Sequence, residues 1–253
     1  MQRSLAIHVG RSAASTHAGG ARESVTERGD INLRAGAQMR EYIAIADRIA
    51  RDCTGPTLDW GCGYGQMTHL LRARGMAVTA CDWHPDSLSD GETVALEHYP
   101  DLEAYRTSDP IRLPYPDSSF GCVLSCGVLE HVQHPGDSLD ELHRVLAPGG
   151  RLLVYKLPNR FSYLEAVARR MGLYYHGALP CDVVYTSKSA VGLLGSHGFR
   201  VDACRRTNLL PLTVVHPTAQ RVAGLTWAVN RALGRVPGLR LVATNLELDA
   251  TAC

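Results

Sequence analysis

The stretch LDWGCGYG at residues 58–65 restricts the possible folds of this chain more than any other. A short apolar run leads there into three glycines, Gly61, Gly63 and Gly65, and a helix-like segment follows. Glycine has no Cβ, so such a turn can adopt positive φ and lets a ligand approach the backbone closely. The stretch therefore predicts a buried strand, a glycine-rich turn that holds a ligand, and a helix.

Apolar runs and helical periodicities alternate along the chain and predict an α/β fold. A parallel sheet with helices wound on both faces is the architecture that such alternation favours. The predicted strands are 57–60, 76–81, 103–107, 119–126, 151–156, 199–206 and 239–248, and the predicted helices are 34–53, 66–74, 86–98, 138–146, 163–171, 187–197 and 218–233.

The 253 residues fit one large domain. Residues 1–30 are rich in Ser, Ala, Gly and Arg without a sustained period, so we expect a flexible N-terminal tail or lid. Residues 31–253 are predicted to form a single domain, with a cofactor-binding half at 55–156. The pattern becomes irregular at about 157–186, which predicts an insertion that covers the site as a substrate lid.

Composition excludes several classes of partner. The 26 basic and 25 acidic residues almost cancel, so a nucleic acid is not the expected partner, and a small molecule is. No stretch reaches the 18 or more apolar residues of a membrane span, and the first residues do not resemble a signal peptide, so a cytoplasmic location is expected. The eight cysteines never form a Cys-x-x-Cys pair, which favours reduced thiols and no metal site.

Two cofactors compete for the glycine turn, a nicotinamide dinucleotide and S-adenosylmethionine. The dinucleotide fingerprint is Gly-x-Gly-x-x-Gly, whereas the spacing of Gly61, Gly63 and Gly65 is one residue shorter. Asp59 stands two residues before Gly61, where a carboxylate repels a pyrophosphate and attracts the ammonium group of a methionine moiety. These features favour S-adenosylmethionine.

Acidic residues at two further strand ends predict the rest of an adenosine site. Asp82 follows Gly61 by 21 residues, at the position from which a carboxylate accepts hydrogen bonds from both ribose hydroxyls. Trp83 offers a flat apolar face to adenine. Asp109 is placed to accept a hydrogen bond from the adenine amino group, and Pro110 to pack on the other side of the ring.

With these residues, the chain resembles the class I S-adenosylmethionine-dependent methyltransferases, in particular the small-molecule group that includes ubiquinone and menaquinone methyltransferases. Two departures from the family pattern are Pro110, which replaces a small residue, and Gly121, where an Asp commonly follows the Phe. The resemblance covers about 58–154 and rests on LDWGCGYG at 58–65, Asp82, SDPIRLPYPDSSF at 108–120, VLEHV at 128–132 and LHRVLAPGG at 142–150.

The resemblance implies a Rossmann-like, seven-stranded, mostly parallel sheet whose last strand is antiparallel. It implies S-adenosylmethionine as the methyl donor, with S-adenosylhomocysteine as product. We expect transfer to a hydroxyl of a small molecule such as a sugar, lipid or secondary metabolite; the alternatives are a C- or N-methyltransferase and a non-catalytic cofactor-binding module. The expected cofactor-binding residues are Asp59, Gly61, Cys62, Gly63, Gly65, Asp82, Trp83, Ser108, Asp109, Pro110 and Cys126.

A sulfonium methyl is already activated, so the protein need only align the acceptor and remove a proton from a hydroxyl. His131 is the candidate base; the alternative is that it holds its loop or borders the cofactor. His176 is the second candidate base and His216 a weaker third. Glu130 is interpreted as a helix N-terminal residue. Acceptor contacts, or else packing residues of the lid, are expected at Asn159, Arg160, Tyr163, Tyr174, Tyr175, Asp182 and Tyr185.

Overall fold

A computed structural model describes residues 35–83, 91–172 and 182–253, and eight strands of these residues form one sheet. The strands lie in the order β3-β4-β2-β1-β5-β6-β8-β7. The strands are β1 (Thr57–Trp60), β2 (Val78–Trp83), β3 (Glu92–Leu96), β4 (Tyr99–Thr107), β5 (Phe120–Cys126), β6 (Leu146–Pro158), β7 (Phe199–Thr207) and β8 (Asn245–Ala252). The helices are α1 (Gly36–Asp52), α2 (Gln66–Arg72), α3 (Pro135–Val145), α4 (Tyr163–Arg170), α5 (Ser187–Ser196), α6 (Pro217–Arg221), α7 (Ala223–Leu233) and the 3₁₀ helix η1 (Leu239–Val242).

The centre of the sheet is parallel, as the alternation of strands and helices predicts. Strand β1 pairs in parallel with β2 and β5, and β5 pairs in parallel with β6. The last strand, β8, runs antiparallel between β6 and β7. The predicted fold class and the antiparallel last strand are therefore confirmed.

Two apolar cores cover the two faces of the sheet. On one face, Ile45 and Ile49 of α1 pack with Leu71 of α2 and with alternate strand residues such as Leu124. On the other face, the core contains side chains of α3 and α5 and the strand residues of opposite parity, among them Val123. Successive strand side chains point to opposite faces, so both helical layers bury an apolar set and the sheet is doubly wound.

The region after β2 differs from the prediction of a helix at 86–98. Glu92–Leu96 forms strand β3, which pairs antiparallel with β4, and β4 is longer than the predicted 103–107. The β-branched Thr93 and Val94 suit a strand, and Gly91 precedes it at φ 77°. The sheet thus has eight strands instead of the expected seven, with β3 as an added edge strand.

The last strand and the preceding helix are also displaced from their predicted positions. Residues 239–242 form η1, and the strand begins only at Asn245, whereas a strand was expected at 239–248. Pairing sets where this strand begins, because β8 is hydrogen-bonded to β6 along one edge and to β7 along the other. The helix predicted at 218–233 is split into α6 and α7 at Val222.

The segment expected to be a substrate lid follows β6. It contains α4 and is attached to the end of β6 by an isolated bridge between Asn159 and Tyr185. Residues 173–181 and the predicted N-terminal tail lie outside the described residues. In the part of the chain that the structure describes, no helix combines the length and apolarity needed to cross a membrane.

Candidate functional site

The glycine turn joins β1 to α2 at the carboxyl end of the sheet. Gly61, Gly63 and Gly65 have φ of 73°, 52° and 83°, values that favour glycine. A Cβ on Gly61 would lie 2.4 Å from Cγ2 of Val128, and one on Gly65 would lie 2.2 Å from Cδ1 of Leu96. The turn therefore requires glycine both for its backbone conformation and for its close packing.

Asp59 lies beneath this turn and is buried. Its Oδ2 accepts a hydrogen bond of 2.6 Å from the Thr68 hydroxyl in α2. Burial raises the pKa of Asp59 to about 6, against the opposing effect of the Thr68 hydrogen bonds. No described lysine or arginine lies within salt-bridge distance of it. A buried carboxylate without a nearby lysine or arginine is stabilised when a cationic group approaches it.

Asp82 ends β2 next to the turn. Its Oδ1 accepts a hydrogen bond of 3.0 Å from the Trp83 backbone N–H. Burial raises the pKa of Asp82 to about 7, although the Trp83 N–H, the nearby Arg106 and the Gly63 N–H favour the ionised form. Two carboxyl groups with raised pKa values thus lie side by side at the glycine turn, which is characteristic of functional sites.

The loop after β4 forms the opposite wall. Asp109 Oδ1 accepts hydrogen bonds from the backbone N–H groups of Ile111 and Arg112, at 2.9 and 2.8 Å. Trp83 crosses to this loop and donates from Nε1 to the Ser108 carbonyl oxygen at 2.9 Å. The Asp109 carboxylate therefore shapes the loop and faces the cleft at the same time.

An open cleft of about 300 Å³, its solvent opening included, lies between these elements. Five of the predicted cofactor-binding residues line it: Gly61, Asp82, Trp83, Asp109 and Pro110. Asp59, Cys62, Gly63, Gly65, Ser108 and Cys126 do not line it. The residues of the lining that were not predicted are Trp60, Cys81, Thr107, Ile111, Leu113 and Val128.

Four of the six missed residues adjoin a predicted one in the sequence, so proximity in sequence was the available signal. Leu113 and Val128 do not, and Val128 reaches the cleft only because Gly61 has no side chain. Burial raises the pKa of the Cys62 and Cys126 thiols. Both cysteines are thus neutral packing residues next to the cleft.

These residues fit S-adenosylmethionine in three respects. Gly61 lines the cleft and has no side chain, so a ligand can approach its backbone closely. Asp82 lines the cleft and offers an acceptor for hydroxyls, whereas Asp59 lies buried beneath the turn. Burial raises the pKa of both carboxyl groups and outweighs the groups that favour their ionised forms. Trp83, Ile111 and the other apolar lining residues suit a flat ring.

His131 lies in the turn after β5, where its backbone N–H donates to the Val128 carbonyl oxygen. Its Nδ1 is 2.9 Å from Oδ1 of Asp182, whose side chain is fully buried. Its Nε2 is 3.8 Å from Oε1 of Glu130. Val183 N–H also donates to the Glu130 carbonyl oxygen at 2.9 Å. The structure therefore brings His131 together with Asp182, 51 residues away, as a histidine–carboxylate pair.

The other histidines lie elsewhere. His143 on α3 is 3.1 Å from the Cys253 carbonyl oxygen and packs edge-on against Phe199. His216 caps α6 by accepting from the Thr218 N–H, so its role is local. His176, Tyr174 and Tyr175 lie outside the described residues. Among residues that are described, no group of three or more His, Cys, Asp or Glu side chains is arranged to hold a metal ion.

Two of the residues expected as acceptor contacts or as packing residues of the lid are buried. Asn159 is buried, and its Nδ2 donates to the carbonyl oxygens of Leu241 and Ala243 while its Oδ1 accepts from the Phe161 N–H. Tyr185 is buried in the core and its hydroxyl lies 3.5 Å from the Leu129 carbonyl oxygen. Both side chains are committed to packing.

Arg160 and Tyr163 are exposed. The Tyr163 hydroxyl donates to the Leu209 carbonyl oxygen. Arg160 lines a second open cavity of about 860 Å³, its solvent opening included, together with Ser162, Glu165, Ala166 and Arg169, beside Asn159 and Val184.

A buried ion pair that no sequence pattern predicted lies at the same end of the sheet. Lys156 has φ 63° at a bulge in β6, and its Nζ is 3.0 Å from Oε2 of Glu41 in α1 and 4.7 Å from the ring centre of Tyr42. Burial alone would lower the pKa of Lys156, but Glu41 and Tyr42 outweigh burial and raise it. Glu41 also accepts from Asn208, so the pair connects α1 to the end of β7.

Comparisons with known proteins agree with this geometry. A family model described as a methyltransferase domain matches residues 58–154. The chain is 32% identical over 128 residues to a probable S-adenosylmethionine-dependent methyltransferase of Mycolicibacterium smegmatis, covering 49% of this chain and 47% of that protein. It is 31% identical to the ubiquinone/menaquinone biosynthesis C-methyltransferase UbiE of Methylococcus capsulatus, covering 56% and 58%. The chain thus spans about half the length of the curated relatives it matches.

Solved structures with the same fold include the 1,6-didemethyltoxoflavin-N1-methyltransferase of Burkholderia thailandensis with bound 1,6-didemethyltoxoflavin and S-adenosylhomocysteine. It is 18% identical, with a TM-score of 0.54, and the match covers 90% of this chain and 83% of that one. Identity at this level shows the fold alone. Taken together, the comparisons confirm the resemblance predicted from the sequence and S-adenosylmethionine as the cofactor of the family.

Proposed function

We propose, on the premise that this chain belongs through residues 58–154 to the methyltransferase-domain family, that it transfers a methyl group from S-adenosylmethionine to a hydroxyl of a small molecule. The observation that carries the choice of a hydroxyl is the hydrogen bond between His131 and Asp182. A hydroxyl acceptor must lose a proton during transfer, and an oriented neutral imidazole is suited to accept it.

The geometry of the pair gives each residue a distinct role. Asp182 accepts from Nδ1–H of His131, which selects the tautomer with its lone pair on Nε2 and holds the ring in place. His131 Nε2 then takes the acceptor proton, and the imidazolium that forms is stabilised by the buried Asp182 carboxylate and by Glu130 at 3.8 Å. Asp182 is a positioning residue in this scheme.

The cofactor-binding roles follow from the walls of the cleft. When bound, S-adenosylmethionine supplies an activated methyl group on a sulfonium. The Asp82 carboxylate would accept hydrogen bonds from the ribose hydroxyls, and the Asp59 carboxylate would attract the ammonium group of the methionine moiety. Trp83 and Pro110 would flank the adenine, with Asp109 at its edge. The protein itself aligns the acceptor and removes its proton.

The alternatives are transfer to carbon or nitrogen. They are supported by the relatives, which include a C-methyltransferase and, from Rauvolfia serpentina, a norajmaline N-methyltransferase at 28% identity. A ubiquinone biosynthesis O-methyltransferase of Caulobacter is 33% identical. The relatives therefore differ in the acceptor atom, and the choice depends on the residues of this chain.

The test uses S-adenosylmethionine with a carbon-13-labelled methyl group and acceptor panels of hydroxyl, amine and activated-carbon compounds. The methyl chemical shift identifies the acceptor atom. We expect O-methyl products, and a drop in kcat for His131→Ala of typically 10²–10⁴-fold with unchanged cofactor affinity. Asp182→Asn should lower kcat and change its pH profile.

The matched control is His197→Ala. His197 also pairs through Nδ1 with a carboxylate, Asp140, at 2.7 Å, but it lies at the end of α5. We expect this variant to retain full turnover. Products methylated only on nitrogen or carbon would refute the choice of a hydroxyl. Tight cofactor binding with no transfer to any acceptor would indicate a binding module.

A further inference from the structure

An unusual surface is formed by the exposed side chains of residues 160–172 and 221–242, here called the arginine-rich apolar face. Of the sixteen large hydrophobic side chains that are exposed among the described residues, eleven belong to these two segments. Met171 is 66% exposed, Leu225 65%, Phe161 58% and Leu241 52%. A concentration of this kind marks an interaction site, whereas single exposed apolar residues do not.

The two helices of the face turn their apolar sides outward. Helix α4 buries none of its residues, and its Tyr163 and Val167 are exposed one turn apart. In α7, Ala223 and Asn230 are buried, whereas Leu225 and Val229 are exposed one turn apart on the opposite side. An amphipathic helix normally buries its apolar stripe, so both helices lack a covering element among the described residues.

Hydrogen bonds at two points connect the two segments. Asn159, just before α4, donates from Nδ2 to the carbonyl oxygens of Leu241 and Ala243 at the end of η1. Leu209 is the second joint: its carbonyl oxygen accepts from Tyr163 of α4, and its N–H donates to Asn230 of α7. The face is therefore anchored to the end of β6, next to the candidate site.

The charges of the face are strongly biased. Its two segments contain seven arginines and one acidic residue, Glu165, in a chain whose 26 basic and 25 acidic residues almost cancel overall. All seven arginine side chains are exposed. They are Arg160, Arg169, Arg170, Arg221, Arg231, Arg235 and Arg240.

We propose that the arginine-rich apolar face docks this protein on an anionic lipid bilayer. Apolar side chains beside a surplus of arginine match the boundary between acyl chains and phosphate headgroups, where guanidinium groups bind phosphate oxygens. A second copy of the chain is a poorer match, because a symmetric contact would bring arginines against arginines. Residues 1–34 are also a poorer match, since they carry five arginines against three acidic residues.

The test is sedimentation of the full-length protein with sucrose-loaded vesicles of phosphatidylcholine, with and without phosphatidylglycerol. We expect binding to the anionic vesicles that weakens as salt rises, because screening reduces the attraction of exposed charges. Leu225→Ser with Leu241→Ser should weaken binding by roughly tenfold or more. Arg235→Gln with Arg240→Gln should weaken binding to anionic vesicles and reduce its salt dependence.

The control variants are Val191→Ser, an exposed apolar residue of α5, and Arg200→Gln, an exposed arginine of β7. Both should bind vesicles as the unchanged protein does, and cofactor affinity verifies that every variant is folded. The proposal is overturned if the protein does not bind vesicles at low salt, or if it binds neutral and anionic vesicles equally. It is also overturned if the protein does not bind vesicles and instead forms a dimer that Leu241→Ser dissociates. Vesicle binding needs no methyl transfer, so its failure is separate from failure of the proposed activity.

Discussion

Replacing Asp82 by Asn tests two effects of this buried carboxyl group. Its ionised form should destabilise the ligand-free protein, and the same form should strengthen ligand binding. Burial raises its pKa to about 7 from an ordinary 3.8. The folded protein therefore binds a proton more tightly than the unfolded chain does. The stabilisation is complete below the unfolded pKa and is lost as pH rises through about 7.

The magnitude follows from the width of this pH window. One pKa unit corresponds to about 1.4 kcal/mol, so roughly 3 units give an upper limit of about 4 kcal/mol for Asp82. Its side chain keeps some contact with water at the cleft, which reduces the effect. Between about pH 5 and pH 8 we expect the free energy of unfolding to fall by about 2–3 kcal/mol more in the unchanged protein than in Asp82→Asn.

The assay is urea unfolding of the ligand-free protein across this pH range, with S-adenosylhomocysteine binding measured in parallel. Binding should change in the opposite direction, since the ionised carboxylate is the better acceptor for ribose hydroxyls. Asp82→Asn should weaken binding at about pH 8 by about 1.5–3 kcal/mol. The control is Asp101→Asn, at an exposed position of β4. If unfolding of Asp82→Asn depends on pH as in the unchanged protein, the carboxyl group does not titrate there and the reasoning is wrong.

Three further predictions concern the supports of the site. Gly61→Ala should destabilise the protein by about 2–4 kcal/mol in urea unfolding, because its φ is 73° and its Cβ would lie 2.4 Å from Val128. Lys156→Met should cost about 3–5 kcal/mol in the same measurement, since it leaves the Glu41 carboxylate buried without its cation. Arg144→Ala should weaken cofactor binding in calorimetry, because this side chain donates to two carbonyl oxygens of the loop at 113–115 that borders the cleft.

Each of these has a matched comparison. Gly75→Ala has the same kind of backbone strain, φ 79°, but no atom within 4 Å, so a loss equal to that of Gly61→Ala would contradict the packing argument. Replacing both Lys156 and Glu41 by apolar residues should recover much of the stability lost with Lys156→Met. Removing Arg200, which pairs with Asp202 at the surface, should leave cofactor binding unchanged.

The cofactor-binding half of the protein could be predicted from sequence because each of its motifs determines the structure of its own residues. Three glycines at positive φ determine the conformation of their own turn, and an acidic residue at a strand end lies beside it. Gly61 and Asp82, both expected to bind the cofactor, line the cleft. Helix α1 was likewise found within two residues of its ends, since its apolar spacing alone marks its buried side. Local patterns were less reliable where pairing decided the structure, as in β3 and β8.

What only the tertiary structure decided are the long-range encounters. Asp182 was expected to contact the acceptor or to pack in the lid, and it lies 2.9 Å from His131, because the adjoining Val183 is hydrogen-bonded to the turn at Glu130. Val128 lines the cleft only because a glycine faces it. The outward apolar sides of α4 and α7 also could not be predicted, since helical spacing shows that an apolar side exists and the remainder of the fold determines whether anything covers it.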